Sequence, residues 1–281
     1  MPRRPPKPAP TVLLFRTELL YLSEKSQPSI EQQTASYSAI LAAAPAGPIV
    51  VRTIDAGSDK PVPFLHMGEE ENPSLGVRGY RLIHEHRSFI EDQLKSLEAA
   101  RQATGREVWV MAPMIATVQE AQDFCDLARS IGKFKVGIMV ETPSISVLVS
   151  DLKGIVDFVS IGTNDLSQYL FAADRMNPAL GTLLTPWQPG LIRTLARIAD
   201  AGKAAGISVG VCGESASDPT FAVVLAGLGI TSVSASPSQV DVVRTALSSV
   251  DVAKAKNVAN RVLEATSPEA AKAAALSALA E

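Results

Sequence analysis

The chain has 281 residues, enough for one α/β barrel of about 250 residues and an extension. Hydrophobic residues make up 46% of it, as expected for a protein with a large core, and the net charge of −3 argues against broad nucleic-acid binding. No apolar run approaches the roughly 20 residues of a membrane helix, and no secretory apolar segment opens the chain. These features predict a cytoplasmic protein that binds neither nucleic acid nor membrane.

Residues 1–11 are predicted to be a proline-rich tail or linker, because Met1 to Pro10 contains five prolines and three basic residues. Residues 12–281 are predicted to form one barrel domain with C-terminal helices. The two cysteines, Cys125 and Cys212, are too few for a disulfide framework.

Seven apolar runs along the rest of the chain predict β-strands. They lie at 12–16, 49–54, 108–112, 136–140, 156–161, 208–211 and 231–235. Helical patterns separate them, at 79–104, 187–205 and 217–228, and one or two further helices are expected after residue 250. Capping boxes at 29–32 and 117–120 predict helix starts, and Gly206 and Gly229 predict helix ends.

This alternation of strand and helix indicates parallel strands with right-handed crossovers. An open doubly wound sheet and a closed barrel both fit the pattern. Polar residues at the ends of nearly all the strands favour a TIM-type (β/α)8 barrel, whose strands all feed one rim. Only seven strands are visible, so the expectation is a barrel that lacks its first strand.

Arginines end the first two strands, at Arg16 and Arg52. A charge at the end of a buried strand needs a partner. Glu18, Asp55 or Asp59 could supply a structural ion pair. The alternative is a site for an anion, since guanidinium groups match phosphate and carboxylate oxygens.

Carboxylates follow two later strands, at Glu141 and Asp165, and are the candidate Mg²⁺ ligands. The alternatives are that Glu141 pairs with an arginine and that Asp165 caps a helix starting at Leu166. Asn164 lies at a loop-to-helix junction suited to anions, or serves only in a turn.

Two further residues are candidates on weaker local grounds. Arg175 lies on a polar loop, where an arginine is more often a solvated charge. Cys212 ends a strand between glycines. It is either a small buried apolar side chain or a reactive thiol, mostly protonated at neutral pH and able to act as an acid.

With these residues in place, the chain strongly resembles the C-terminal, phosphoenolpyruvate-binding domain of enzyme I of the bacterial sugar phosphotransferase system (phosphoenolpyruvate–protein phosphotransferase). The matching blocks run in family order from about residue 12 to 240. They are LFRTELLY (14–21), VRTID (51–55), ENPSLG (71–76), VETP (140–143), SIGTNDL (160–166) and VCGE (211–214).

The resemblance implies a role for each candidate. Arg16, Arg52 and Arg175 grip the phosphate with the help of Asn164, and Asp165 contacts the substrate as well. Glu141 and Asp165 hold Mg²⁺, and Cys212 protonates the enolpyruvate carbon as pyruvate forms. Lys60 and Arg78 match rim positions that also touch ligand. A homodimer is implied too.

The family's phosphoacceptor histidine lies in a separate N-terminal domain, and none of His66, His84 and His86 is in an acceptor motif. The expected function is therefore transfer of phosphate from phosphoenolpyruvate to a histidine on another domain, which in turn serves a small carrier protein. The alternatives are a non-catalytic phosphoenolpyruvate-binding or dimerisation module and, more remotely, a lyase or aldolase on a related barrel.

Overall fold

Seven strands form the centre of the computed structural model, which describes residues 13–281. Each of the seven predicted runs overlaps one of them, with bounds that differ by at most two residues. Their bounds are β1 Leu13–Arg16, β2 Ile49–Arg52, β3 Val108–Ala112, β4 Lys135–Val140, β5 Phe158–Gly162, β6 Ser208–Cys212 and β7 Ser232–Ser234.

Ten α-helices lie in the described part of the chain. Their bounds are α1 Ile30–Ala43, α2 Ile83–Thr104, α3 Val118–Ile131, α4 Pro143–Val147, α5 Thr163–Leu170, α6 Pro189–Ala205, α7 Pro219–Gly227, α8 Val240–Ser248, α9 Val252–Leu263 and α10 Pro268–Ala280. None of the helices between residues 13 and 281 combines the length and apolar character needed to cross a membrane.

The strands are all parallel and follow one another in chain order from β1 to β7. They curl into a nearly closed barrel with helices outside, which confirms the predicted fold class. Within residues 13–281, β1 pairs only with β2, and β7 only with β6. The predicted tail at 1–11, and the place where an eighth strand was expected, lie outside the described residues.

Alternation along the strands divides the apolar side chains into two layers. A small cluster fills the barrel interior, and it includes Val50, Met139 and Cys212. Ile49 and Val51 instead belong to the large core between sheet and helices. Side chains that follow Val50 and Met139 at intervals of two residues therefore also lie on the interior side, above the end of the barrel.

Local signals in the sequence account for several helix boundaries. Ser29 and Thr117 each accept a hydrogen bond in a complete capping box, as predicted. Gly206 adopts a left-handed conformation with φ of 75° at the end of α6. These short-range contacts set where the helices begin and end, and so how the strand-to-helix loops project over the rim.

Candidate active site

The carboxyl ends of the strands bring the predicted site residues to one rim of the barrel. Arg16 and Arg52 end neighbouring strands and lie opposite each other in register. Gly162 and Cys212 do the same at the ends of β5 and β6. Glu141 directly follows β4. Because the strands are parallel, these ends all face the same edge of the sheet.

Asp55 is the centre of the cationic part of the rim. Its carboxylate accepts hydrogen bonds from Arg78 Nη2 at 3.1 and 3.2 Å and from Lys60 Nζ at 3.3 Å, and Oδ2 lies 3.2 Å from Arg52 Nη1. Burial alone would raise the pKa of Asp55, but the two arginines and the lysine hold that pKa well below its usual range. The carboxylate is therefore ionised and keeps both guanidinium groups in place.

Arg52 and Arg16 end neighbouring strands but differ in their surroundings. Arg52 is buried and forms a second ion pair, with Glu18, so the structural pairing suggested by the sequence exists here. Burial tends to lower the pKa of the Arg52 guanidinium, but Asp55 and Glu18 raise it. Arg16 is exposed and makes no hydrogen bond or ion pair with another residue in the 13–281 part of the chain. Its side chain is available to solvent at the edge of the rim.

Asp165 lies beneath two arginines in the first turn of α5. Its Oδ1 is 3.1 Å from Arg78 Nη1, and its Oδ2 is 3.4 Å from Arg175 Nη1. The alternative prediction, that Asp165 caps a helix beginning at Leu166, is wrong, because α5 begins at Thr163 and has no side-chain cap. The strand passes directly into the helix, so the carboxylate projects into the site.

Glu141 is a fully buried carboxylate with only half of its hydrogen-bonding capacity used. Oε1 accepts the backbone N–H of Met114 at 2.7 Å, and Oε2 has no hydrogen-bond partner in the described part of the chain. Burial, and then the charges of Asp165 and Asp55, raise the pKa of Glu141 to about 8. Such a carboxylate is suited to a cation that neutralises it.

Two unusual backbone features hold Glu141 in position. Met114, which donates to it, has a φ of 60°, a strained value for a residue with a Cβ. A Cβ added to Gly162 would lie 2.4 Å from Glu141 Oε2 and 2.8 Å from Met139 Cε. Only glycine at position 162 leaves room for the carboxylate.

Asn164 and the loop after β6 are joined by hydrogen bonds. Asn164 Oδ1 accepts the backbone N–H of Glu214 at 3.1 Å, and Thr163 Oγ1 donates to the Cys212 carbonyl at 3.0 Å. Gly213 between them has a φ of 103°, and a Cβ there would approach Thr163 Oγ1 to 2.6 Å. The amide of Asn164 is thereby fixed beside the cysteine-bearing strand end.

Cys212 is 4% exposed and lies in the cluster that fills the barrel interior. Its Sγ donates a hydrogen bond to the Ile161 carbonyl at 3.4 Å. Burial raises the pKa of the thiol to about 11, so it is protonated at neutral pH. The group has the protonation state of an acid rather than of a nucleophile.

Buried polar atoms without a hydrogen-bond partner are concentrated at this rim. In the described part of the chain they are Thr17 Oγ1, Glu18 Oε2, Arg52 Nε, Arg78 Nε and Glu141 Oε2. Such atoms are rare in folded proteins and mark places where a further polar group belongs. The set combines donors for an anion with carboxylate acceptors for a cation.

Glu141 and Asp165 fit a hard divalent cation. Such ions take oxygen ligands, and Mg²⁺ often takes only one or two carboxylates from the protein. Residues 13–281 contain no cluster of three or more His, Cys, Asp or Glu side chains arranged for a metal. The orphaned Oε2 of Glu141 is the atom best placed to accept a cation.

Two residues of the site are more central than the sequence predicts. The sequence indicates Asp55 only as an ion-pair partner, and only the family resemblance points to Arg78, yet together they connect most of the charged groups. Arg78 is 1% exposed and contacts Asp55, Asp165 and, at 3.4 Å, the Tyr169 hydroxyl. The VRTID motif at 51–55 was the available signal, since it places a carboxylate three residues after a strand-end arginine.

Comparison with known proteins identifies relatives over most of the chain. A phosphoenolpyruvate–protein phosphotransferase of Streptomyces coelicolor is 44% identical over 264 residues, covering 93% of this chain and 48% of the relative. A multiphosphoryl transfer protein of Rhodobacter capsulatus is 38% identical, covering 90% of this chain and 31% of the relative. The chain thus spans about half the length, or less, of these relatives. The resemblance drawn from the motifs is confirmed.

Among solved structures, a malate synthase of Haloferax volcanii in a lead(II) complex superposes with a TM-score of 0.54 at 13% identity. The match covers 85% of this chain and 64% of the other. At this identity the likeness concerns the barrel fold alone.

The family described as "PEP-utilising enzyme, PEP-binding domain" matches residues 5–252, where PEP is phosphoenolpyruvate. The match includes both arginine-bearing strand ends, the two carboxylates and the buried thiol. The chain therefore belongs to the family of PEP-binding domains of PEP-utilising enzymes.

Proposed function

We propose that this chain binds PEP at the rim and carries out the PEP-cleaving half of a phosphotransfer to a histidine on a separate domain, with release of pyruvate. The observation that carries the proposal is the set of buried, unpaired donors and acceptors around Arg52, Arg78 and Glu141. These donors and acceptors are suited to bind an anion and a cation next to each other. The relatives' names support the same chemistry, because they are phosphotransferases that use PEP.

The arginines are proposed to bind the phosphate. Arg52 and Arg78 present Nε atoms that have no hydrogen-bond partner within residues 13–281. Arg16 is exposed at the neighbouring strand end, and Arg175 reaches the rim from the loop after α5. Asn164 adds an amide at the start of that helix. Phosphoryl transfer depends mainly on positioning and on neutralising charge, which this arrangement supplies.

Glu141 and Asp165 are the residues that would hold Mg²⁺, and Asp165 lies close enough to Arg78 and Arg175 to face the phosphate as well. When bound, the cation would offset the charge of the phosphate and carboxylate oxygens of PEP. Lys60, 3.3 Å from Asp55, is a further cation at the edge of the site.

Cys212 is proposed to act as the general acid. Attack of the histidine nitrogen on phosphorus breaks the bond between phosphorus and the enol oxygen and leaves the enolate of pyruvate. The methylene carbon then takes the thiol proton, which gives pyruvate, and solvent returns a proton to the thiolate. A pKa of about 11 keeps the proton on sulfur until the enolate forms.

Calorimetric titration with PEP, with and without Mg²⁺, tests the binding step. We expect Mg²⁺-dependent binding that Arg52→Ala abolishes and that Arg244→Ala leaves intact, because Arg244, among the residues that the structure describes, is paired only with its helix neighbour Asp241. Absence of binding in the wild type would contradict the proposal. Adding a histidine-bearing domain in trans then tests transfer, and binding without transfer would favour a non-catalytic binding module.

The homodimer and the carrier protein implied by the resemblance, and the cytoplasmic location expected from the composition of the chain, remain predictions. Light scattering across a range of protein concentrations tests the first of them. A mass of 29.7 kDa at all concentrations would contradict the dimer.

A further inference from the structure

Gln93 is a fully buried amide that lies outside the site but is bonded to it. It belongs to α2, and its exposure is 0%. A buried amide with unsatisfied groups would be costly, so its partners are informative. The loop after β2, which carries Asp55, supplies one of them.

Both polar atoms of the Gln93 side chain form hydrogen bonds. Oε1 accepts the backbone N–H of Ile54 at 3.0 Å, and Nε2 donates to the hydroxyls of Tyr21 and Tyr37, each at 3.2 Å. The two hydroxyls are 2.5 Å apart, and that of Tyr21 donates to Gln33 Oε1 at 2.8 Å. We refer to Gln93, Tyr21, Tyr37 and Gln33 as the buried amide–tyrosine cluster.

The proton arrangement in this cluster is determined by its donors and acceptors. Gln93 uses both N–H groups, so each tyrosine oxygen accepts one bond from it. Tyr21 gives its proton to Gln33, which leaves Tyr37 to donate to Tyr21. Burial raises the pKa of both hydroxyls, so both stay neutral. Such a fully satisfied network is rigid.

The cluster is connected to both carboxylates that pair with Arg52. Thr53 N–H makes a sheet bond to the Met111 carbonyl at 3.0 Å, and the next amide, that of Ile54, is bound by Gln93. Asp55 follows directly. On the other strand end, the Tyr21 N–H donates to the Glu18 carbonyl at 3.0 Å. One glutamine amide thus joins the turn that bears Glu18 to the turn that bears Asp55.

We propose that Gln93 is a positioning residue, which fixes the spacing of these two turns and thereby the orientation of the Arg52 and Arg78 guanidinium groups for an anion. The inference rests on the proposed function for its consequence in PEP binding. The competing reading is that the cluster only stabilises the packing of α1 on α2. The two hypotheses differ in whether loss of the hydrogen bond between Gln93 and Ile54 changes the positions of the Arg52 and Arg78 side chains.

Three variants separate these readings. Gln93→Met has a similar length but loses the bonds to Ile54 and to both tyrosines. Tyr37→Phe removes one hydroxyl from the cluster and leaves the bond between Gln93 and Ile54. Gln93→Glu keeps an acceptor for Ile54 and serves as the conservative variant, including the case in which Gln93→Met does not fold.

The first measurement is PEP affinity by calorimetry with Mg²⁺, together with the thermal unfolding midpoint. We expect Gln93→Met to weaken PEP binding about tenfold or more, which corresponds to about 1.4 kcal/mol. Tyr37→Phe should lower the unfolding midpoint while changing affinity less than about twofold, and Gln93→Glu should recover most of the affinity. Equal losses of stability in Gln93→Met and Tyr37→Phe with unchanged affinity in both would overturn the proposal.

A second measurement does not depend on PEP. The Nε–H resonances of Arg52 and Arg78, observed by NMR, should shift in Gln93→Met and stay in place in Tyr37→Phe. If the wild type binds no PEP, the proposed function fails, and these resonances alone decide the positioning role. Unchanged arginine resonances in Gln93→Met would refute it.

Discussion

Replacing Asp55 with asparagine removes the charge that three cations share. The carboxylate lies within 3.3 Å of nitrogen atoms of Arg52, Lys60 and Arg78, and both arginines are buried. Asparagine can accept through one oxygen only, and its amide N–H groups would face guanidinium donors. Removing one partner of a buried ion pair costs about 3–5 kcal/mol, so we expect a loss of that size in the free energy of unfolding.

Asp59→Asn is the matched control. Asp59 is 22% exposed, and its nearest contact to Arg78 is 3.7 Å. Because Asp59 is partly solvated and lies farther from Arg78 than Asp55 does, we expect this pair to contribute less than about 1 kcal/mol. Urea denaturation at pH 7 measures both variants against the wild type, and a loss below 1 kcal/mol in Asp55→Asn would refute the reasoning.

The same variant has a defined pH dependence. The pKa of Asp55 is lowered in the folded protein, so its stabilising effect is present above the unfolded value of 3.8 and is lost as the pH falls below it. The difference in the free energy of unfolding between wild type and Asp55→Asn should therefore become smaller as the pH falls from 5 to 3. Inorganic phosphate should stabilise Asp55→Asn more than the wild type, because Arg52 and Arg78 would lack a counterion.

Three further predictions concern the carboxylate and thiol side of the rim. Because the pKa of Glu141 is raised, the folded protein holds the proton of this carboxyl more tightly than the unfolded chain does. In the presence of a chelator, the free energy of unfolding of the wild type should therefore fall relative to that of Glu141→Gln as the pH rises from about 4.5 to 8. Urea denaturation measures this fall, whose upper limit is about 5 kcal/mol. Gly162→Ala should destabilise the chain by about 1–3 kcal/mol and abolish the thermal shift caused by Mg²⁺. Gly181→Ala should do neither, because an added Cβ there would have no atom of the described residues within 4 Å apart from its chain neighbours. Cys212→Ala should bind PEP within about twofold of wild type yet form pyruvate at least about 100-fold more slowly in the trans assay, and an unchanged rate would contradict its role as the acid.

The strands and most helix boundaries could be predicted because their signals are local. An apolar run, a capping box or a glycine at a helix end acts within a few residues, and the structure confirms those features. The predicted start of α5 is wrong for the same reason. Asn164 and Asp165 look like capping residues in sequence, but the strand feeds the helix directly at Thr163.

The connections inside the site depend on distance along the chain and could not be predicted. Arg78 contacts Asp55 across 23 residues and Asp165 across 87. The close approach of Gly162 to Glu141 and the bond from Gln93 to Ile54 are likewise set by how the loops fold over the barrel. Residue types at the strand ends indicate which groups reach the rim, but not which of them bind one another.

The ion pairs at the rim have a consequence for how fast a ligand associates. The rim has equal numbers of cationic and carboxyl side chains, although Arg16 and Glu141 form no ion pair within residues 13–281. The cationic ones are Arg16, Arg52, Lys60, Arg78 and Arg175, and the carboxyl ones are Glu18, Asp55, Asp59, Glu141 and Asp165. With a net chain charge of −3, the site projects little positive potential into solvent. The site would therefore attract an anion only weakly at long distance. At short range the anion would bind by replacing carboxylates as partners of the cationic side chains. The association rate should therefore depend only slightly on ionic strength, and the dissociation rate should carry most of the selectivity among anions.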